Sequence, residues 1–168
     1  MAHTLDPEQL ATYFALMETV SVLQYAVQQQ LREDGDLSYV QFEILAHLAD
    51  AQRPLTMTEL ADLIVYSRSG LTHQAGLLDN AGLITRSASS TDQRATVVAI
   101  TSGGRSRLAA VLPGHVEVVH DLLFDGLSDR DVRTLGAILG RARDHLRARP
   151  PRSAASRRRA VVDQSDSA

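Results

Sequence analysis

The chain has 168 residues, 44% of them hydrophobic but only 4% aromatic, and a formal net charge of −3. That is enough apolar material for one compact core built mainly from Leu, Val, Ile and Ala, or for one domain with an extension. With no Cys it has no disulfide, thiolate metal site or thiol redox sensor; lacking a basic-then-apolar leader and any apolar run near the ~20 residues of a membrane helix, it is expected to be cytoplasmic, with no membrane partner.

In chain order, Asp6-Pro7-Glu8 reads as a helix start. Asp6 caps, Pro7 suits the first turn and Glu8 complements the dipole. Leu10, Tyr13, Phe14, Met17, Val20, Leu23, Val27 and Leu31 then keep near-3.6 spacing, so a helix is expected from Glu8 to about Leu31, with Gly35 breaking it. Leu37-Ser38 opens a second helix, Tyr39 to about Ala49, and Arg53-Pro54 forms a connector. Thr56-Met57-Thr58-Glu59 opens a short third helix. Ser67 or Ser69 caps a fourth, which runs to about Ala81 and closes at Gly82. Leu83 to Ser87 and Thr96 to Ile100 are β-like runs joined by a polar loop over 88–95. A fifth helix is expected from about Arg105 to Phe124, with a kink or break near Leu112 caused by Pro113. Leu127-Ser128-Asp129-Arg130-Asp131 caps a last helix to about Arg147. Beyond Pro150-Pro151 the chain is Ser-, Arg- and Ala-rich without apolar period, the composition of a disordered tail.

From Leu60 to Thr101 the order is therefore helix, turn, helix, strand, polar hairpin, strand, which describes a winged helix-turn-helix, a module used to bind duplex DNA. The expected class is mainly α with a small antiparallel β wing. Residues 35–104 form the winged module, 1–34 and 105–148 a helical dimerisation region, and 149–168 the tail. The charge distribution agrees. Residues 1–62 hold ten acids against two Arg, a net of −8, whereas 63–109 hold five Arg against two Asp, a net of +3. A basic segment inside an acidic chain marks where a polyanion would be met.

On the fourth helix, Leu71, Ala75 and Leu78 make the core stripe, and Ser69, Thr72, His73 and Gly76 share another, polar face. That face suits a major groove. Arg68 sits at the helix start. Ser67, Ser69 and Thr72 are placed to bond phosphates, and His73 and Gln74 to reach base edges. Taken alone, a solvated helix face with an ordinary cap explains these residues equally well. The hairpin tip, Ser89-Ser90-Thr91-Asp92-Gln93-Arg94, adds specificity: Arg94 is suited to a minor groove, with Asp92 holding its side chain. Arg86, on the first strand, is a further phosphate candidate.

Ser67-Arg68-Ser69-Gly70-Leu71-Thr72, Leu78 to Arg86 (LDNAGLITR), Asp92-Gln93-Arg94 and Val98 to Gly104 (VAITSGG) together resemble the MarR family of bacterial transcriptional regulators. Leu37 to Leu45 and Pro113-Gly114-His115 are similar to its flanking helices. The resemblance covers roughly residues 8–148. It implies a homodimer that reads a palindromic operator in double-stranded DNA, most often as a repressor released by a small molecule. His73 stands where such proteins often carry Arg. The resemblance also implies an effector pocket between the helical region and the winged module, for which Tyr25, Tyr39, Phe42 and His47 are the candidates.

The six His residues show no ligand spacing, so no metal site and no cofactor are expected. No nucleophile elbow or oxyanion loop marks an enzyme. The competing reading of the winged module, motivated by the acidic total and by His73, is a protein-interaction domain without DNA binding.

Overall fold

The computed structural model describes residues 4–89 and 95–148. The elements are α1 (Pro7–Gly35), α2 (Tyr39–Ala51), β1 (Leu55–Thr56), α3 (Met57–Leu63), α4 (Arg68–Asn80), β2 (Ile84–Ala88), β3 (Thr96–Ile100), α5 (Ser102–Val119), a π-helical turn (His120–Phe124) and α6 (Asp129–Arg147). The chain divides into two compact units, Met1–Leu123 and Phe124–Ala168.

Helix starts follow the cap chemistry closely. Asp6, Ser38, Thr56 and Ser128 each accept a hydrogen bond from the backbone N–H three residues on, and the side-chain oxygens of Gln9, Gln41, Glu59 and Asp131 accept in turn from the cap residue's own N–H. Four capping boxes therefore satisfy the orphan donors of four helix starts. At the end of α4, Gly82 takes φ +70°, Leu83 N–H bonds to the Leu78 carbonyl (2.9 Å) and Gly82 N–H to the Asp79 carbonyl (2.9 Å). This reciprocal pair stops the helix where the sequence places its closing glycine.

The core of the first unit joins every element of the winged module. Leu45, Leu48, Leu60, Ile64, Leu71, Leu78, Ile84 and Val98 are all buried, and Leu31 and Val111 extend the cluster into α1 and α5. The sheet order is β1-β3-β2, antiparallel throughout. Leu55 pairs with Val98, Ile84 with Ile100 and Arg86 with Val98. The Ser89 N–H bonds to the Ala95 carbonyl across the base of the hairpin loop (2.8 Å).

Three expectations are corrected. Gly35 does not break α1 but is its last residue, and Asp36 takes the left-handed turn at φ 50°. A Cβ on Gly35 would run into Val111 Cγ1 of α5, so this glycine permits the α1–α5 crossing, and the tight approach outweighs the usual preference for glycine in the left-handed position. Nor does Pro113 break α5, which is continuous through it, so of the expected kink or break the break is excluded. Leu112 and Pro113 are exposed, so water can meet the carbonyl that Pro113 leaves without a donor. Finally, α1 is long and apolar enough, by length and composition alone, to cross a membrane: an 18-residue window reaches a mean hydropathy of 1.2 and is 6% buried. Ala, Val, Leu and Met raise that average without forming an unbroken apolar run.

The spacing on α1 is helical as expected, but only its C-terminal end enters the core. Val27 and Leu31 are buried, whereas Leu10, Tyr13, Phe14, Met17 and Val20 are exposed. In the second unit, α6 has an apolar stripe that includes Leu135, Ile138, Leu139 and Leu146, and none of its residues is buried.

Candidate nucleic-acid interface

Burial sorts α4 into two sides. Leu71, Ala75 and Leu78 pack inward with at most 1% exposure. Arg68, Ser69, Thr72 and His73 are exposed on the opposite side, and no acid precedes Asp79 in the helix. The local bonds fix what each polar group offers. Ser67 is the N-cap, and its Oγ accepts from Gly70 N–H at 3.1 Å. The Thr72 hydroxyl donates to the Arg68 carbonyl at 2.9 Å, leaving its oxygen lone pairs and methyl group outward. Arg68, Ser69 and His73 have no side-chain partner among the described residues, so their donors and acceptors are available to a ligand.

Gln74 lies elsewhere. It is half-buried, and its Oε1 is 3.4 Å from the Ser38 hydroxyl of α2. The structure thus separates it from the exposed face and turns it toward the α2 cap. Asp92 and Arg94 lie outside the described residues, as does the Arg157-Arg158-Arg159 tail.

Arg86 is brought to the face rather than away from it. It projects from β2 so that its Nη1 sits 3.7 Å from where a Gly76 Cβ would be. Gly76 is three residues from His73 and four from Thr72, hence on the same helical face. A side chain at 76 would crowd the guanidinium, and glycine leaves that space open. The Arg86 Nε is buried without a partner among the described residues. A cation is therefore held beside the middle of the exposed α4 face, between helix and wing. Thr101 secures this junction: its hydroxyl lies 2.8 Å from the Gly82 carbonyl and 3.0 Å from that of Leu83, and its N–H donates to the Leu83 carbonyl at 3.1 Å.

At the other side of the helix pair, the Arg53 guanidinium reaches Glu59 Oε1 at 2.8 Å, while Thr56 N–H (2.7 Å) and hydroxyl (2.9 Å) donate to Oε2. These bonds hold the Glu59 carboxyl at about 2, well below the usual carboxylate value. The start of α3 is thereby fixed, and with it the platform against which α4 packs.

The four effector candidates do not gather in one place. Tyr25 is exposed, and its hydroxyl accepts from Gln29 at 3.1 Å. Phe42 is buried against the His115 ring, with centroids 4.5 Å apart. Tyr39 and His47 are half-buried on α2. Glu43, which sequence reasoning did not single out, stands four residues from each. Burial raises the Glu43 carboxyl pKa, and the Tyr39 phenol is raised by burial and by Glu43. Separately, a cleft of about 520 Å³ is lined by Arg32, Asp36, Gln41, Leu77, Leu83 and Arg107, among others, and by none of the four candidates.

The described residues contain no group of three or more His, Asp or Glu arranged to hold a metal ion.

A family model described as MarR family matches residues 35–95, the stretch from the end of α1 through β2 to the residue before β3. The repressor YetL of Bacillus subtilis, an HTH-type transcriptional repressor, is 28% identical over 144 residues, 82% of this chain and 84% of that protein. The MarR family regulator Sco3205 of Streptomyces coelicolor, solved in complex with DNA, superposes with a TM-score of 0.82 at 28% identity over 90% of this chain and 94% of that one. AbsC, also a MarR family regulator of Streptomyces coelicolor, superposes with a TM-score of 0.81 at 26% identity over 88% and 100% of the two chains. These relatives are regulators, not enzymes. The three-stranded wing, the exposed acid-free start of α4 and these matches agree: residues 35–95 match the MarR family, and the chain is similar in fold and sequence to winged helix-turn-helix transcriptional regulators of that family.

Proposed function

We propose that the protein is a homodimeric repressor that binds a palindromic operator in double-stranded DNA and is released by a small-molecule effector. The observation that carries this reading is the exposed face of α4, where Arg68, Ser69, Thr72 and His73 stand free of acids with Arg86 beside them. In this reading α4 lies in the major groove. His73 selects bases, Arg68 and Arg86 meet phosphates, and Arg94 of the wing enters the minor groove. The relative solved with DNA and the relative named as a repressor support the partner and the sign of regulation.

The apolar N-terminal two-thirds of α1 supports the homodimer. Leu10, Tyr13, Phe14, Met17 and Val20 stand 38–59% exposed, too much contiguous apolar surface for a free helix in water. A second copy covers it by two-fold symmetry, which also matches a palindromic site. The helical region in this reading is 1–34 with 105–148, and the winged module is 35–104. We assign effector binding to the half-buried line Tyr39, Glu43 and His47 on α2, next to Phe42.

The test is fluorescence anisotropy with duplex from the protein's own upstream region and a scrambled control across a salt series, paired with sedimentation. A dimer that binds the upstream duplex selectively, with an affinity falling steeply with salt, is the expected result. Absence of binding to either duplex at low salt refutes the DNA reading, and a monomer at micromolar concentration refutes the dimer.

A further inference from the structure

The turn between α3 and α4 holds an aromatic side chain that the assignment above does not use. α3 ends at Leu63, and Ile64 takes an extended conformation (φ −102°, ψ 123°). The Tyr66 N–H then bonds back to the Ile64 carbonyl at 2.9 Å. This three-residue turn puts Val65 at its apex, 98% exposed, and delivers Tyr66 to the first turn of α4.

Tyr66 does not swing freely there. One edge of its ring lies against Gly70: a Cβ on Gly70 would overlap ring Cε1, touch Cδ1 at 3.0 Å and press on Ser67 Oγ at 2.8 Å. Gly70 has ordinary right-handed helical backbone and sits inside α4, where glycine is a poorer helix former than alanine. Conformation therefore does not require glycine at this position, and the room it gives to the ring does. Packed against the place where Gly70 lacks a side chain, Tyr66 remains 45% exposed. Among the described residues nothing accepts from its hydroxyl. Gly70 is three residues before His73, so the phenol borders the outward face that carries Arg68, Ser69 and His73.

We infer that Tyr66 is a DNA-contacting residue, its phenol held in place by Gly70 and donating a hydrogen bond to a backbone phosphate at the edge of the major groove. This rests on the DNA-binding reading of α4 given above. A tyrosine hydroxyl is a neutral donor, so it acts on every sequence alike and releases no counterion. Its signature thus differs both from a base-reading residue and from the arginines around it.

The experiment compares wild type, Tyr66→Phe, Gly70→Ala and Arg68→Ala by fluorescence anisotropy against the upstream duplex and a scrambled duplex of equal length, from low to physiological salt. Thermal melting checks that each variant is folded. Tyr66→Phe keeps the ring and loses only the donor. It is expected to weaken binding to both duplexes by about tenfold, with the salt slope and the melting temperature unchanged. Gly70→Ala, which displaces the ring, is expected to weaken binding at least as much, whereas Arg68→Ala lowers the slope by about 0.9. Wild-type affinity in Tyr66→Phe overturns the inference while leaving the regulator reading intact. A loss confined to one duplex overturns the phosphate assignment. Wild type that binds neither duplex at low salt removes the regulator reading, and the inference falls with it.

Discussion

Adding one methyl group at Gly35 separates local propensity from tertiary constraint. Gly35 is the last residue of α1 and has ordinary helical backbone. On propensity alone, Gly35→Ala should stabilise a helix by up to about 1 kcal/mol, less at a terminal position. The new Cβ, however, would overlap Val111 Cγ1 and approach Arg107 Cδ at 3.4 Å. Arg107 can adjust only by disturbing its bond to the Gly35 carbonyl. Val111 has less freedom still. It is fully buried at 0% exposure, and a β-branched side chain in a helix has essentially one rotamer. Overpacking of this kind costs about 1–3 kcal/mol. The clash therefore outweighs the propensity gain, and a net loss of about 1–2 kcal/mol follows.

Equilibrium urea unfolding at fixed protomer concentration measures it. Val111→Ala alone should cost about 2 kcal/mol through lost burial. The double variant should cost clearly less than the sum, because the alanine Cβ fills space that the valine vacates. Stabilisation by Gly35→Ala, or simple additivity of the pair, would refute the packing argument and return Gly35 to the role of an ordinary helix terminator.

Three further outcomes follow from the interface. His73→Ala should change the ranking of operator variants in a binding-site selection more than it lowers affinity overall; equal losses on all sequences would remove its base-reading role. Arg86→Ala should reduce the salt slope by about 0.9 on specific and scrambled duplexes alike, and Gly76→Leu should reproduce that loss by crowding the guanidinium. A Gly76→Leu protein with normal slope would show that the Arg86 position beside α4 is irrelevant to DNA. The third concerns pH. Because the folded-state Glu59 pKa, at about 2, lies below its ordinary 4.5, the stabilisation from its bonds to Arg53 and Thr56 is complete above pH 4.5 and is lost as pH falls toward 2. NMR titration of the Glu59 carboxyl should show the low midpoint, and Arg53→Ala should move it upward; a wild-type midpoint near 4.5 would refute the pairing.

Local chemistry in the sequence determined most element boundaries and the module they build. Asp6, Ser38, Thr56, Ser67 and Ser128 cap helices within a few bonds of themselves, and Gly82 stops α4 through its own backbone, so neighbouring residues suffice to place them. The stripe Leu71, Ala75 and Leu78 is equally local, and it fixes the opposite face of α4 as outward. Periodicity on α1 located the helix but not its burial, because the same spacing serves a core and a surface awaiting another partner. Strand β1, two residues long, is too short to carry a pattern and exists only because β3 pairs with it. The roles of Gly35, Gly70 and Gly76 were likewise invisible: each is set by a side chain from elsewhere, Val111 across a helix crossing, Tyr66 across a turn and Arg86 from the neighbouring strand. Gln74 shows the same limit from the other direction, since its helical position pointed toward a base and the Ser38 hydroxyl of α2 turned it away. What depends on bonds within four or five residues could be read in the chain, and what depends on two segments meeting could be decided only by the fold.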